Sequence, residues 1–190
     1  MIIEVVPYNS DWANEYEQEK YRLVEALGDV ILEIHHIGST SVKGLAAKPI
    51  IDIIIESDSL EKLDAASNNF ENLGYEVMDE FGIAGRRYYR KGGDHRTHQI
   101  HAFKVGDPNI QRHLAFRNYL AVHSDVMREY QELKQKLAKA CKNDIDAYCD
   151  GKDSFVKYQE AKAIQWYRAH DNQINVDSFS SAKNRSMKNE

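Results

Sequence analysis

The residues best suited to chemistry lie in the stretch Glu33–Ile55, EIHHIGSTSVKGLAAKPIIDIII. A strand pattern ends at Ile37, Gly38 and Ser39 make a turn, Thr40 or Ser41 is placed to cap a short helix, and Gly44 closes it. A small turn before a helix start leaves backbone N–H groups unpaired, and with the helix dipole these favour a phosphate. The Ser39 and Thr40 hydroxyls add donors. Pro49 opens the next apolar run, in which Asp52 is flanked by isoleucines. A carboxylate there is costly unless it is paired or bound to a cation. Mg²⁺ prefers oxygen ligands, usually one or two carboxylates plus substrate phosphates. The turn and the acid together therefore read as a nucleotide and metal site, with Mg²⁺ or Mn²⁺ at Asp52. The same residues also read as an ordinary turn, a helix cap and an aspartate held by arginine or backbone N–H groups.

The elements that would position this stretch alternate in period. Asp11 is placed to cap a helix through Leu27, ended by Gly28. Val30–Ile37 reads as a strand, and the nearly continuous apolar run Ile50–Ile55 as a strand at a sheet centre. Leu60–Leu73 has a helical period, closed by Gly74. Tyr75–Met78, Arg86–Arg90 and Gln99–Val105 are shorter strands separated by glycines, which predicts a partly antiparallel sheet. Ile110–Val122, Asp125–Cys141 and Ser154–Ala169 are predicted helices. The expected architecture is α+β, a mixed sheet with helices followed by a helical C-terminal third, in one domain over residues 1–170. Residues 171–190, with four serines, four asparagines and one aromatic, read as a flexible polar tail.

Composition narrows the partners. The 190 residues carry 25 Lys and Arg against 30 Asp and Glu, a net charge of −5. A general basic surface for duplex nucleic acid is not expected, although a local basic pocket is compatible with that balance. No run approaches the ~18 consecutive apolar residues of a membrane-spanning helix. The N-terminus lacks a basic segment before an apolar one, so a cytoplasmic location with two reduced thiols, Cys141 and Cys149, is expected. No GxxxxGK[ST] phosphate loop surrounds the GSTS stretch.

Hydrophobic-Gly-Ser followed about a dozen residues later by Asp in an apolar strand resembles the core motif of the DNA polymerase beta-like nucleotidyltransferase superfold. More narrowly, HIGSTSVKGLAAKPIIDIII resembles the GrpB family, described as predicted nucleotidyltransferases. So do LGY at Leu73–Tyr75, QIHAF at Gln99–Phe103, HLAFRNYL at His113–Leu120, Tyr130 with Leu133–Lys134, and the Tyr148, Lys152 and Phe155 spacing. The resemblance spans roughly residues 4–168. It implies a bound nucleoside triphosphate or phosphorylated small molecule, a divalent ion at Asp52, and transfer of a nucleotidyl group to an acceptor. It also places His101 where the superfold takes a third carboxylate from a later strand; the residue reads equally as a satisfied core histidine. Arg117, Lys134 and Lys152 fall in family-like stretches, and Lys48 lies close in sequence to the glycine turn. Tyr130 and Lys134, four apart, share a helical face. The chain departs from the pattern at Ile54, where the superfold carries its second metal-binding carboxylate, and from typical GrpB relatives at Lys43, Gln99 and Asn118.

Three functions follow in order. The first is a nucleotidyltransferase using Asp52 and His101, with Gly38, Ser39, Thr40, Lys48, Arg117, Tyr130, Lys134 and Lys152 around the phosphates. The second is a nucleotide- or phosphometabolite-binding module without turnover, favoured by Ile54. The third is a protein-interaction scaffold carried by the C-terminal helices. Two smaller patterns stand apart. Arg86, Tyr88 and Arg90 alternate onto one strand face, a stacking surface for a base or an ordinary exposed sheet face. His95, His98 and His101 are spaced by threes, which on a strand points them to opposite sides and argues against zinc.

Overall fold

A computed structural model describes residues 3–186, with side chains described through residue 170. The backbone runs as α1 (Asp11–Leu27), β1 (Glu33–Ile37), β2 (Ile51–Ser57), α2 (Leu60–Ala65), α3 (Ser67–Asn72), β3 (Tyr75–Val77), β4 (Arg87–Lys91), β5 (His98–Lys104), α4 (Pro108–Val122), α5 (Ser124–Ala140) and α6 (Ile145–Ser186). The expected α+β order holds, with a mixed five-stranded sheet in the order β1-β2-β5-β4-β3. Only β2 and β5 pair in parallel; the other neighbours are antiparallel. The expected polar tail over 171–190 falls on side chains outside the described residues.

Several boundaries shift for local reasons. α1 starts at Asp11 itself rather than being capped by it. Asn9 Oδ1 accepts from the Asp11 N–H at 3.0 Å, and Ser10 at the N-cap makes no side-chain cap. The predicted helix Leu60–Leu73 divides at Ala66, where ψ rises to 2° and the Ser67 hydroxyl donates to Asp64 O at 2.8 Å. The strand predicted from Val30 begins only at Glu33, after a 3-10 turn over Gly28–Val30. Asp107 caps α4 through Asn109 N at 2.8 Å, so that helix begins at Pro108, where a proline costs no hydrogen bond. The last helix begins at Ile145, nine residues ahead of Ser154, and Asp144 Oδ1 accepts from the N–H groups of Asp146 and Ala147.

Alternation along β2 makes the sheet two-faced despite its apolar run. Ile51, Ile53 and Ile55 join Ile100, Ala102 and Tyr89 in a core against Trp12, Leu23, Leu63 and Phe70 of α1–α3. The opposite face carries Ile54 and Phe103, packed on Ile37 and on Ile110 of α4. Asp52 shares that face two residues earlier, toward the strand's start, beyond the cover of this small cluster. Val42 and Leu45, both fully buried, pin the segment between β1 and β2 into a second core with Ala115, Leu120, Tyr130 and Ala163 of α4–α6. The helical third is thus tied to the loop that follows Gly38, and a crevice is left between that bundle and the Asp52 end of the sheet.

Candidate functional site

The crevice is a cavity of about 640 Å³ with Gly38, Ser39, Asp52, Gln99 and Tyr88 on its sheet side and Tyr130, Lys134, Tyr148 and Lys152 on its helical side. Gly38 stands opposite Asp52 because Ile37 pairs with Asp52 across β1 and β2. Its φ of 71° lies in the left-handed region, and a Cβ there would overlap the Asp52 carboxylate. The turn must therefore be glycine for two independent reasons, backbone conformation and space.

Three lysines from three elements surround the acid. Lys48 comes from the segment before β2, Lys134 from α5 and Lys152 from α6, and all three lie within electrostatic range of Asp52. Burial dominates over their attraction and raises the Asp52 carboxyl to about 6. Among the described residues, no hydrogen bond or ion pair is made to that carboxylate. Burial also pulls Lys134 down to about 7, aided by the repulsion of Lys152. Lys48 is lowered in the same way, first by burial, against the attraction of Cys149 and Asp52. Lys48 and Lys152 lie 5.1 and 5.9 Å from the centre of the Tyr148 ring, whose face favours cations.

Lys134 also holds the turn in place. Its Nζ donates to Ser39 Oγ at 2.8 Å and to the Ala46 carbonyl at 2.5 Å, while Gln131 Oε1 accepts from Ala46 N at 2.9 Å. Tyr130, one turn earlier, puts its ring 4.6 Å from Lys134 Nζ, and burial raises its hydroxyl well above the usual range. The pairing of Tyr130 and Lys134 on one helical face, expected from their spacing, is present. Thr40 lines the cavity as well; its hydroxyl donates to Ile50 O at 3.3 Å and lies 3.0 Å from His36 Nε2, which ties the turn to the start of β2.

One assignment is corrected, and a second is placed more closely. Arg117 does not line the cavity. Its Nη1 donates to the His36 carbonyl at 2.9 Å and its Nε to Asn118 Oδ1, so it braces β1 against α4. The strand register sets Gln99, not His101, beside Asp52; His101 pairs with Ile54. His101 does line the cavity wall, where burial drives its imidazole down to about 3 and Arg86 Nη1 lies 3.2 Å from Nδ1. Glu56, the other acid on this face, is taken by His35 at 2.9 Å. Arg86 and Tyr88 are buried, at 6% and 5% exposure, and Arg90 pairs with Glu76, so the alternating Arg86, Tyr88 and Arg90 do not form an open sheet face. The spacing of Lys48 and Tyr148 gave no sign that they would meet.

The donor set does not fit a two-ion centre. Ile54 is fully buried where a second carboxylate would stand, and among the described residues no group of three His, Cys, Asp or Glu is placed to hold a metal ion. A divalent ion would have Asp52 as its carboxylate and would depend on oxygens brought by a ligand.

The family model described as GrpB protein matches residues 2–162. The chain belongs to the GrpB family. YqkA of Bacillus subtilis is 44% identical over 170 residues, covering 90% of this chain and 50% of that protein. The chain thus spans half the length of that relative. The glutamate-rich protein GrpB of Alkalihalophilus pseudofirmus is 31% identical over 157 residues, 80% of this chain and 90% of its own. The crystal structure of GrpB from Enterococcus faecalis superposes with a TM-score of 0.83 at 44% identity, over 86% of this chain and 99% of that one. No helix among the described residues is long and apolar enough to cross a membrane.

Proposed function

We propose that this GrpB protein binds the phosphate end of a nucleotide or other phosphorylated small molecule in the cavity beside Gly38. The observation that carries this reading is the convergence of Lys48, Lys134 and Lys152 around one acid in a cavity. Three ammonium groups brought together out of water repel one another, and a polyanion relieves that repulsion. Ser39 adds a hydroxyl at the cavity wall, held between Lys134, which donates to it, and the side chain of Tyr130. The 3-10 turn starting at Ser39 adds first-turn N–H groups of the kind that lack helical partners. Tripolyphosphate titrated calorimetrically in EDTA tests the reading. Binding that is lost in Lys48→Met and Lys152→Met supports it, and unchanged binding in both variants removes it.

Nucleotidyl transfer from a nucleoside triphosphate, with Mg²⁺ or Mn²⁺ at Asp52, is the second reading. It is favoured by one observation, a carboxylate lining the cavity with no hydrogen bond or ion pair to the described residues. Pyrophosphate release from labelled triphosphates, with and without the divalent ion, separates the two. Turnover that disappears in Asp52→Asn supports transfer, whereas binding without turnover leaves a phosphate-ligand module.

A further inference from the structure

The lysines occupy one side of the cavity, and a row of rings occupies another. Phe81 stacks on Tyr88 with centroids 5.2 Å apart and planes inclined by 20°. Tyr88 is 5.3 Å from His101, and His101 is 5.3 Å from His113. All four line the same cavity as the lysines. Tyr88 is buried and the two histidines are half-buried, but Phe81 at the outer end is 57% exposed. Both imidazoles are held neutral, chiefly by burial, so the row is aromatic rather than cationic.

The exposure of Phe81 is held in place by its loop. Its φ is 41° and that of Asp79 is 49°, a region that bulky residues seldom adopt. Arg86 fastens the loop through Nη2 to Phe81 O at 2.6 Å and Nε to Glu80 O at 3.2 Å, and Glu80 Oε1 accepts from Gly85 N at 2.7 Å. Strained backbone kept rigid by surrounding bonds is concentrated at ligand sites. Arg96 lines the cavity too and bonds the Tyr88 side chain, yet its Nε–H is buried with no acceptor. That unspent donor sits beside the row.

We infer that Phe81 caps an aromatic shelf that stacks the planar ring of the ligand whose phosphates the lysines hold, so the ligand is a nucleotide rather than a simple phosphate. This rests on the phosphate-binding reading above. Stacking on an aromatic side chain tolerates any base, because each has a π-face, and Arg96 Nε–H supplies a donor for an acceptor on the ring edge.

The test compares ATP with tripolyphosphate by calorimetry in EDTA, on the full chain and on Phe81→Ala and Phe81→Trp. ATP is expected to bind roughly tenfold more tightly than tripolyphosphate, the worth of one stacked base. Phe81→Ala should erase that gap and leave tripolyphosphate binding unchanged, which shows the variant is folded. Phe81→Trp should restore the gap, and the added indole should be quenched by ATP and not by tripolyphosphate. Equal binding of the two ligands, or a gap that survives Phe81→Ala, overturns the shelf while leaving the lysine site standing. Failure of both ligands to bind removes the lysine site and the shelf with it.

Discussion

Gly38 and Asp52 touch across the first two strands so closely that a Cβ on the glycine would come within 3.0 Å of the Asp52 Cβ and overlap its carboxylate. Gly38→Ala must therefore move the strand pair apart or swing the acid away, and it also takes a positive φ that alanine resists. The strain alone costs on the order of 1–3 kcal/mol. Chemical denaturation should show that loss of stability, and tripolyphosphate binding should weaken in the fraction that remains folded. Gly44 also has a positive φ but no atom near its Cβ position, so Gly44→Ala should lose stability without the second effect.

Asp52→Asn should stabilise the protein above neutral pH. The folded-state carboxyl lies near 6 against an ordinary value of 3.8, so the folded protein binds more protons than the unfolded chain between those values. Stability then falls as pH rises through that window, and the ionised acid is a net cost above it. The amide removes the titration. Its melting temperature should exceed that of the parent at pH 8 and match it near pH 4. An unchanged difference at the two pH values would contradict the burial of this carboxylate.

Lys134→Met should reduce polyphosphate affinity at pH 6 far more than at pH 8.5. Burial and Lys152 lower the ammonium to about 7, so it carries its charge below neutrality and loses it above. In the parent, affinity should therefore drop as pH rises through 7, and in the variant that step should be small. Because Lys134 also bonds Ser39 and Ala46, the variant should lose some stability at every pH, which denaturation measures separately from the pH step.

Ile54→Asp should not create a two-ion site. Ile54 is fully buried, packed against Ile37, Phe103 and Ile110, and an unpaired carboxylate there carries a desolvation cost of roughly several kcal/mol. The expected result is a largely unfolded protein by circular dichroism at neutral pH, partly rescued at pH 4 where the acid is neutral. A folded variant with new Mg²⁺-dependent turnover would show that the crevice extends further along β2 than its packing allows.

The order of elements was legible because periodicity is local. Apolar alternation, glycine stops and proline starts found the sheet strands and the other long helices within a few residues, but missed the start of the last helix by nine. The split of the second helix at Ala66 was not, since one hydroxyl bonding back to Asp64 leaves no mark on the apolar period. The Gly38–Ser39 turn and Asp52 were likewise readable, because a lone acid in an isoleucine strand is conspicuous wherever it folds.

What the chain by itself determined was the presence of that turn, that acid and a set of basic residues to choose among. Which of them meet was decided by strand register and helix packing. The pairing of β2 with β5 set Gln99 rather than His101 beside Asp52. Packing of α4 turned Arg117 onto the His36 carbonyl, and packing of α5 and α6 brought Lys134 and Lys152 to the acid. The ring row from Phe81 to His113 joins residues from a loop, two strands and a helix, and none of their spacings foretells it. The physical reason is range: propensity and capping act over a few residues, whereas these contacts depend on how buried faces pack across tens of residues, where burial outweighs any local preference.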